Sequence, residues 1–338
     1  MVERHDFTIE SEPGIDLFVR EVRDTPSPGG VPVVLVHGAR VSGIASFDLA
    51  VPGGSVAEDL ALAGHRVFVM DARGYGRSTR PAEMNGDPAD CPPLVRSSEV
   101  VRDLAGVVRA VRDRTGAAQI ALLGWATGGM WVGHYATLYP DTVSHLVLHN
   151  ALYGGTRGHP SLGPGSDLED PMHAGRFNAT ALGGYRLNSA DGLLGSWDAS
   201  IPTDRLDDWR DPAVAEAYVE AALASDDTAG SRTPPSFRAP TGALEDSFYL
   251  ASGRQLWDGS LISAPTLIIR SERDFWSRPE DVELLREHLT HAQPVQSIAL
   301  PQATHYVHVD RPEAGRARFL EAVRRFLADR RGSANGAP

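Results

Sequence analysis

The residues with most capacity for chemistry lie in Gly124-Trp125-Ala126-Thr127-Gly128-Gly129. An apolar run, Ile120 to Leu123, precedes them, and a helix-forming stretch, Met130 to Leu138, follows. Strand, glycine-rich turn and helix make the frame of a G-x-S-x-G turn, which presents a serine hydroxyl for attack on a carbonyl. The backbone of such a turn crowds itself, so the positions two before and two after the nucleophile must be small. Gly124 and Gly128 meet that need, and Gly129 lets the helix pack close. The residue presented is nevertheless Ala126, and a methyl group attacks nothing. Moving the frame so that Thr127 attacks puts Trp125 at a position that must be small. The bland alternative is an ordinary glycine-rich strand-to-helix turn.

Other chemistries are poorly supplied. All 32 basic residues are arginine, which removes a Schiff-base lysine, a phosphate-loop lysine and a Ser-Lys dyad. The single cysteine, Cys91 in Ala-Asp-Cys-Pro-Pro, excludes an intrachain disulfide and a Cys-rich zinc site. No histidine pair has the i, i+4 zinc spacing with a glutamate between, so neither metal nor cofactor is expected. A net charge of -12 over 338 residues argues against nucleic acid or anionic membrane as a partner. The start, Met1 to Asp6, carries no apolar leader, and no run approaches the roughly 18 apolar residues of a spanning helix. The expectation is a soluble cytoplasmic protein acting on a small molecule.

The elements that must position the turn alternate between strand and helix. Residues 5–10 and 15–23 read as two strands joined at Pro13-Gly14, and Asp24 to Gly30 as a turn region. Val31 to Val36 is continuously apolar, as in a strand buried on both faces of a parallel sheet. Ser55-Val-Ala-Glu58 reads as a capping box opening a helix. Val67 to Met70, the run before the turn, and Val143 to Leu148 are further strands, with a long helix from Ser98 to about Gly116. The alternation gives a mostly parallel α/β sheet flanked by helices, with ligands outside the strand carboxyl ends. His37-Gly38, Asp71 and the turn all fall on that rim. Alternation stops after Tyr153. Residues 153–261 are too long for a structureless loop and are expected to form an inserted helical cap. Core residues are then 1–152 and 262–330, with Pro265 to Ile269 and Val295 to Leu300 as the last strands. Ser277-Arg-Pro-Glu280 reads as a second capping box, Pro312 to Asp329 as an amphipathic helix, and 331–338 as a disordered tail.

Val-His37-Gly38, Asp71-x-x-Gly74-x-Gly76-x-Ser78 and the 124–129 frame, in this order on strand ends, resemble the α/β-hydrolase superfamily. The branch is the one with a cap between two late strands, and the match spans about Val31 to Leu327. The resemblance implies the α/β-hydrolase fold and a nucleophile, acid, histidine order. Asp274, closing the strand-and-loop stretch Thr266 to Asp274, is the expected acid, with Glu272 as competitor nearer the strand end. His305 is the expected base, with His308 as competitor nearer the last helix. The family's oxyanion donors fall on the backbone amides of Ala39 and Thr127. Arg40, beside that hole, is a candidate for a substrate carboxylate, and Trp125 and Met130 for lining the pocket. Asp71 is expected to hold its turn by backbone hydrogen bonds, and His145 and His149 to be core imidazoles. The cap aromatics Trp197, Trp209, Tyr185, Tyr218, Phe237, Phe248 and Tyr249 suggest an apolar cavity.

Three functions follow from this set. The first is an acyl hydrolase, for the ester, thioester or amide of a small molecule, working by a Ser-His-Asp mechanism. Ala126 then marks a deliberate Ser→Ala replacement, and the chain does not hydrolyse. The second is a lyase, cyclase or isomerase using His305 and Asp274 as general base. The third is a non-catalytic small-molecule binder. Epoxide hydrolysis and dehalogenation need a carboxylate where Ala126 stands.

Overall fold

The computed structural model describes residues 1–25 and 29–329. The expected tail at 331–338, and part of the expected turn at 24–30, lie outside them. Ten strands order the chain: β1 (Val2–Glu12), β2 (Ile15–Asp24), β3 (Val33–Val36), β4 (Val67–Met70), β5 (Ile120–Trp125), β6 (Val143–His149), β7 (Tyr185–Ser189), β8 (Ser236–Pro240), β9 (Thr266–Ser271) and β10 (Val295–Leu300). Eight form one sheet in the order β1-β2-β4-β3-β5-β6-β9-β10. β2 runs antiparallel to both its neighbours, and the six strands from β4 to β10 in that order are mutually parallel. The fold is the α/β-hydrolase fold.

Burial explains the strand patterns. Every residue of β3, β4 and β5 is buried, because helices cover both sheet faces. The helices are α1 (Gly43–Phe47), α2 (Val56–Leu62), α3 (Ser97–Thr115), α4 (Thr127–Leu138), α5 (Ala179–Leu182), α6 (Ala190–Asp198), α7 (Pro212–Ala224), α8 (Gly242–Ala251), α9 (Pro279–His288) and α10 (Arg316–Leu327). On one face Leu60 of α2 and Phe319 and Val323 of α10 pack on Leu35 and Leu123. On the other, Leu104 of α3, Trp131 of α4 and Leu285 of α9 pack on Val34 and Leu122. Among the described residues no helix is long and apolar enough to cross a membrane.

Ser55 caps α2 as its spacing predicts, accepting from the Glu58 amide at 2.8 Å. The second box differs. Helix α9 is capped at Arg278, whose amide donates to Asp281 Oδ2, and the same carboxylate gathers Tyr153, Gly154, Gly155 and Thr156. Ser277 is thereby released for another partner. Between β6 and β9 the chain leaves the sheet and covers the rim. This cap is not purely helical: β7 and β8 pair there as an antiparallel ribbon, with Arg186 opposite Ala239.

Two histidines are buried beneath the rim. His149 has no hydrogen-bond partner at either ring nitrogen among the described residues, and His308 has only a weak backbone interaction with Ser46. Burial pulls His149 down to about 3, helped by repulsion from His305 and opposed by the Asp274 charge. Burial likewise takes His308 well below the ordinary range, with His149, His305 and Arg316 adding repulsion. Folding depresses both values, so the unfolded chain binds these protons first. Stability is intact above the unfolded value, near 6.5, and falls as pH drops toward the folded values, by up to about 1.4 kcal/mol per pH unit per histidine. Urea denaturation from pH 7 to 5 should show His149→Leu with the shallower loss; equal slopes would refute the assignment.

Candidate active site

The turn at 126 has the conformation its sequence frame requires. Ala126 sits at φ 53° and ψ −115° between β5 and α4, where an L-residue is strained. A Cβ on Gly124 would lie 2.2 Å from the Gly128 carbonyl oxygen, and one on Gly128 would lie 2.2 Å from that of Val36. Only glycine fits either place. Such backbone strain costs about 1–3 kcal/mol, and glycine adopts these angles freely. Ala126→Gly, which removes a buried methyl, is therefore expected to be neutral or to stabilise by about 1 kcal/mol after the entropy cost of glycine. A loss above about 1 kcal/mol in urea denaturation, the cost expected of a relaxed site, would contradict this.

The loop after β9 carries Asp274, and the loop after β10 carries His305. His305 Nδ1 donates to Asp274 Oδ1 at 2.5 Å. The carboxylate also accepts from the Trp276 amide at 3.1 Å, the Ser277 amide at 2.7 Å and Ser277 Oγ at 2.5 Å. Burial pushes Asp274 up, but the His305 charge and the bonds from His305 and Ser277 outweigh it, leaving the carboxyl below its usual range. Ser277, whose spacing predicts a helix cap, instead donates both its amide and its hydroxyl to Asp274. The His305 carbonyl accepts from Trp125 Nε1 at 3.1 Å and Asn150 Nδ2 at 3.3 Å, which fixes the imidazole from behind. The two competitors lie elsewhere. Glu272 accepts from the Gln302 amide and side chain, and His308 packs under Trp125, ring centroids 4.3 Å apart.

The opposite wall comes from the loop after β3. The amides of Ala39 and Thr127 have no hydrogen-bond partner among the described residues, and both residues line the same cavity as Ala126 and His305. Tyr75 Oη donates to the Ala39 carbonyl at 3.1 Å. The Ala72 amide donates to His37 Nε2 at 3.1 Å, so Nδ1 carries the proton and donates to the Gly38 carbonyl at 2.7 Å. These bonds hold the loop beside the turn. Asp71 accepts from the Gly43 and Arg77 amides at 2.7 and 2.9 Å and lies outside the cavity lining.

The cavity holds about 330 Å³. Trp125 lines it, but Met130 does not: it is buried with Leu152, Leu162 and Leu250. Helix α4 turns Met130 toward the underside of the cap, which removes it as a pocket residue. Of the cap aromatics only Tyr218 reaches the cavity. Trp197 instead stacks on Tyr306 and donates to Asp310 at 2.8 Å. Tyr306, Phe275 and Trp276, all from the core, supply the remaining aromatic wall. Arg40 donates to Ser196 Oγ at 2.7 Å and to the Gly192 carbonyl at 2.8 Å. Its fork ties the loop to cap helix α6, so these donors are not free for a carboxylate. Arg186 also lines the cavity. No motif marks it, because it comes from the cap ribbon.

Residues 31–312 match the alpha/beta hydrolase fold family, and the chain belongs to it. Solved structures with the same fold include the thioesterase domain from the curacin biosynthetic pathway, 16% identical with a TM-score of 0.57, covering 96% of this chain and 99% of that one. A putative aryl esterase from Burkholderia cenocepacia is 17% identical with a TM-score of 0.60, covering 96% and 100%. The 2-hydroxy-6-oxo-6-phenylhexa-2,4-dienoate hydrolase of Rhodococcus sp. strain RHA1 is 16% identical with a TM-score of 0.56, covering 96% and 100%. At these identities the likeness is one of fold.

Proposed function

We propose that this protein is an acyl hydrolase of the Ser-His-Asp type, for a small-molecule ester, thioester or amide, with its nucleophile position occupied by Ala126. One observation supports the reading above the rest. His305, held by Asp274 from behind, the two unpartnered amides and a strained elbow residue all border one cavity. With serine at 126, Oγ bonds to the acyl carbon and its proton passes to His305 Nε2. The carbonyl oxygen takes the charge and is held by the Ala39 and Thr127 amides. The leaving group departs with that proton; water then bonds to the acyl carbon, giving a proton to His305, and the C–Oγ bond breaks as His305 returns the proton to the serine oxygen. Asp274, kept ionised, holds the Nδ1–H tautomer throughout. As the chain stands, the first bond cannot form.

Intact-mass analysis tests this directly. Ala126→Ser treated with a p-nitrophenyl acyl ester should gain the mass of one acyl group, and the unmodified chain none. Equal labelling of both, or of neither across a panel of esters and thioesters, overturns the proposal. A second reading draws on the same pair. His305, held by Asp274, faces the cavity with Nε2 free and serves as general base for proton abstraction beside a carbonyl. Turnover by the unmodified chain that is lost in His305→Ala would favour it.

A further inference from the structure

Arg186 is the one cavity-lining cation whose charge and donors both lack a partner among the described residues. It stands on β7, in the cap ribbon, and its side chain makes no ion pair or hydrogen bond there; Nε is buried without a partner. Arg186 is half-buried as a residue, and the arginines that are fully buried are each paired with a carboxylate. Arg73 is held by Asp103, Arg238 by Asp226 and Arg316 by Asp59. Leaving a desolvated guanidinium unpaired is costly, because neither water nor a carboxylate offsets the lost hydration. Burial and the nearby Arg40 charge accordingly pull Arg186 down to about 10, still cationic at neutral pH.

No protein group is available to neutralise it. Asp274 lines no part of the cavity and is committed to His305, Trp276 and Ser277. Arg40 donates to two uncharged oxygens, so its charge adds to the field instead of cancelling it. The phenols of Tyr75 and Tyr306, both close enough to feel these charges, are held protonated by burial. Much of the remaining wall is aliphatic, including Leu162, Leu168, Leu182 and Leu244. A volume of about 330 Å³ suits a small ligand.

We propose that Arg186 is the carboxylate-binding residue of the cavity, so that the substrate is an acyl compound carrying a free carboxylate beyond an apolar spacer. This rests on the acyl-hydrolase reading for the reacting end and on Arg186 alone for the anionic end. The paired Nη groups of a guanidinium, which unlike the buried Nε are accessible here, match a carboxylate in two parallel hydrogen bonds. The substrate carboxylate enters deprotonated and leaves unchanged, its role being to place the second carbonyl at Ala126 and His305. Discrimination against the neutral ester follows, since that ligand leaves the buried charge unpaired.

Calorimetric titration of the unmodified chain with monomethyl glutarate and dimethyl glutarate tests the assignment without turnover. The monoester should bind at least about tenfold more tightly, the scale of one charged hydrogen bond. Arg186→Met should abolish the preference, and Arg186→Lys should keep part of it, with thermal midpoints checking that each variant folds. Equal affinity of the two esters, no saturable monoester binding, or a preference surviving in Arg186→Met would overturn the assignment. So would displacement of the monoester by inorganic phosphate at equal concentration, which would make the anion site a phosphate site. Monoester binding without acyl transfer in Ala126→Ser would remove the hydrolase reading and leave this one; hydrolysis indifferent to the carboxylate would do the reverse.

Discussion

Ala126→Ser is expected to raise hydrolysis of an activated acyl ester by about 10⁶-fold, the scale lost when a triad serine is removed. A gain of this size is expected because, on the proposed acyl-hydrolase reading, the attacking atom is the one missing part. The turn holds position 126 at φ 53°, so the added oxygen is projected from the crowded backbone without remodelling it. His305 has its Nδ1 proton committed to Asp274 at 2.5 Å, leaving Nε2 to accept the serine proton. The Ala39 and Thr127 amides belong to the backbone and survive the substitution; such donors typically contribute about 3 kcal/mol each. Stopped-flow release of p-nitrophenol would measure the rate. A folded variant with turnover no faster than the unmodified chain would show that the cavity is not arranged for nucleophilic acyl transfer.

Adding Asp274→Asn to that variant should remove about 10⁴-fold of kcat. Asparagine keeps the size of the carboxyl but presents an amide N–H that cannot coexist with the Nδ1–H tautomer of His305. The lost charge also leaves the imidazolium formed during attack uncompensated. Steady-state kinetics of the double variant decide the point, with Glu272→Gln as the contrasting change. The Glu272 side chain bonds only Gln302 among the described residues, so its loss should leave kcat within about twofold. A drop below tenfold for Asp274→Asn would mean that another group orients the base.

Several of these features were legible in the chain because they depend on neighbours in sequence. The strand runs of β3 and β5, the glycines around Ala126 and the Ser55 cap each rest on a periodicity or a local contact. Their physics is complete within a few residues. Asp274 and His305 were legible less directly, through the order of motifs on strand ends. Nothing local distinguishes Asp274 from Glu272; the loop after β9 decides between them by giving Ser277 and Trp276 amides to one carboxylate.

What tertiary structure alone decided is concentrated where partners are far apart in the chain. The ribbon of β7 and β8 pairs residues about fifty positions apart, and the short stretch Tyr185 to Ser189 gives no distinct strand signal. Ser277 leaves the cap position its spacing predicts and bonds Asp274, because Asp281 takes the cap and the turn at 153–156. Arg40 has a sequence claim on a ligand through its place beside His37-Gly38, Arg186 has none, and both line one cavity. The acceptors Ser196 and Gly192 occupy the first and nothing occupies the second. Residue type sets what each guanidinium can bind; only the packed neighbours determine whether that capacity is already filled.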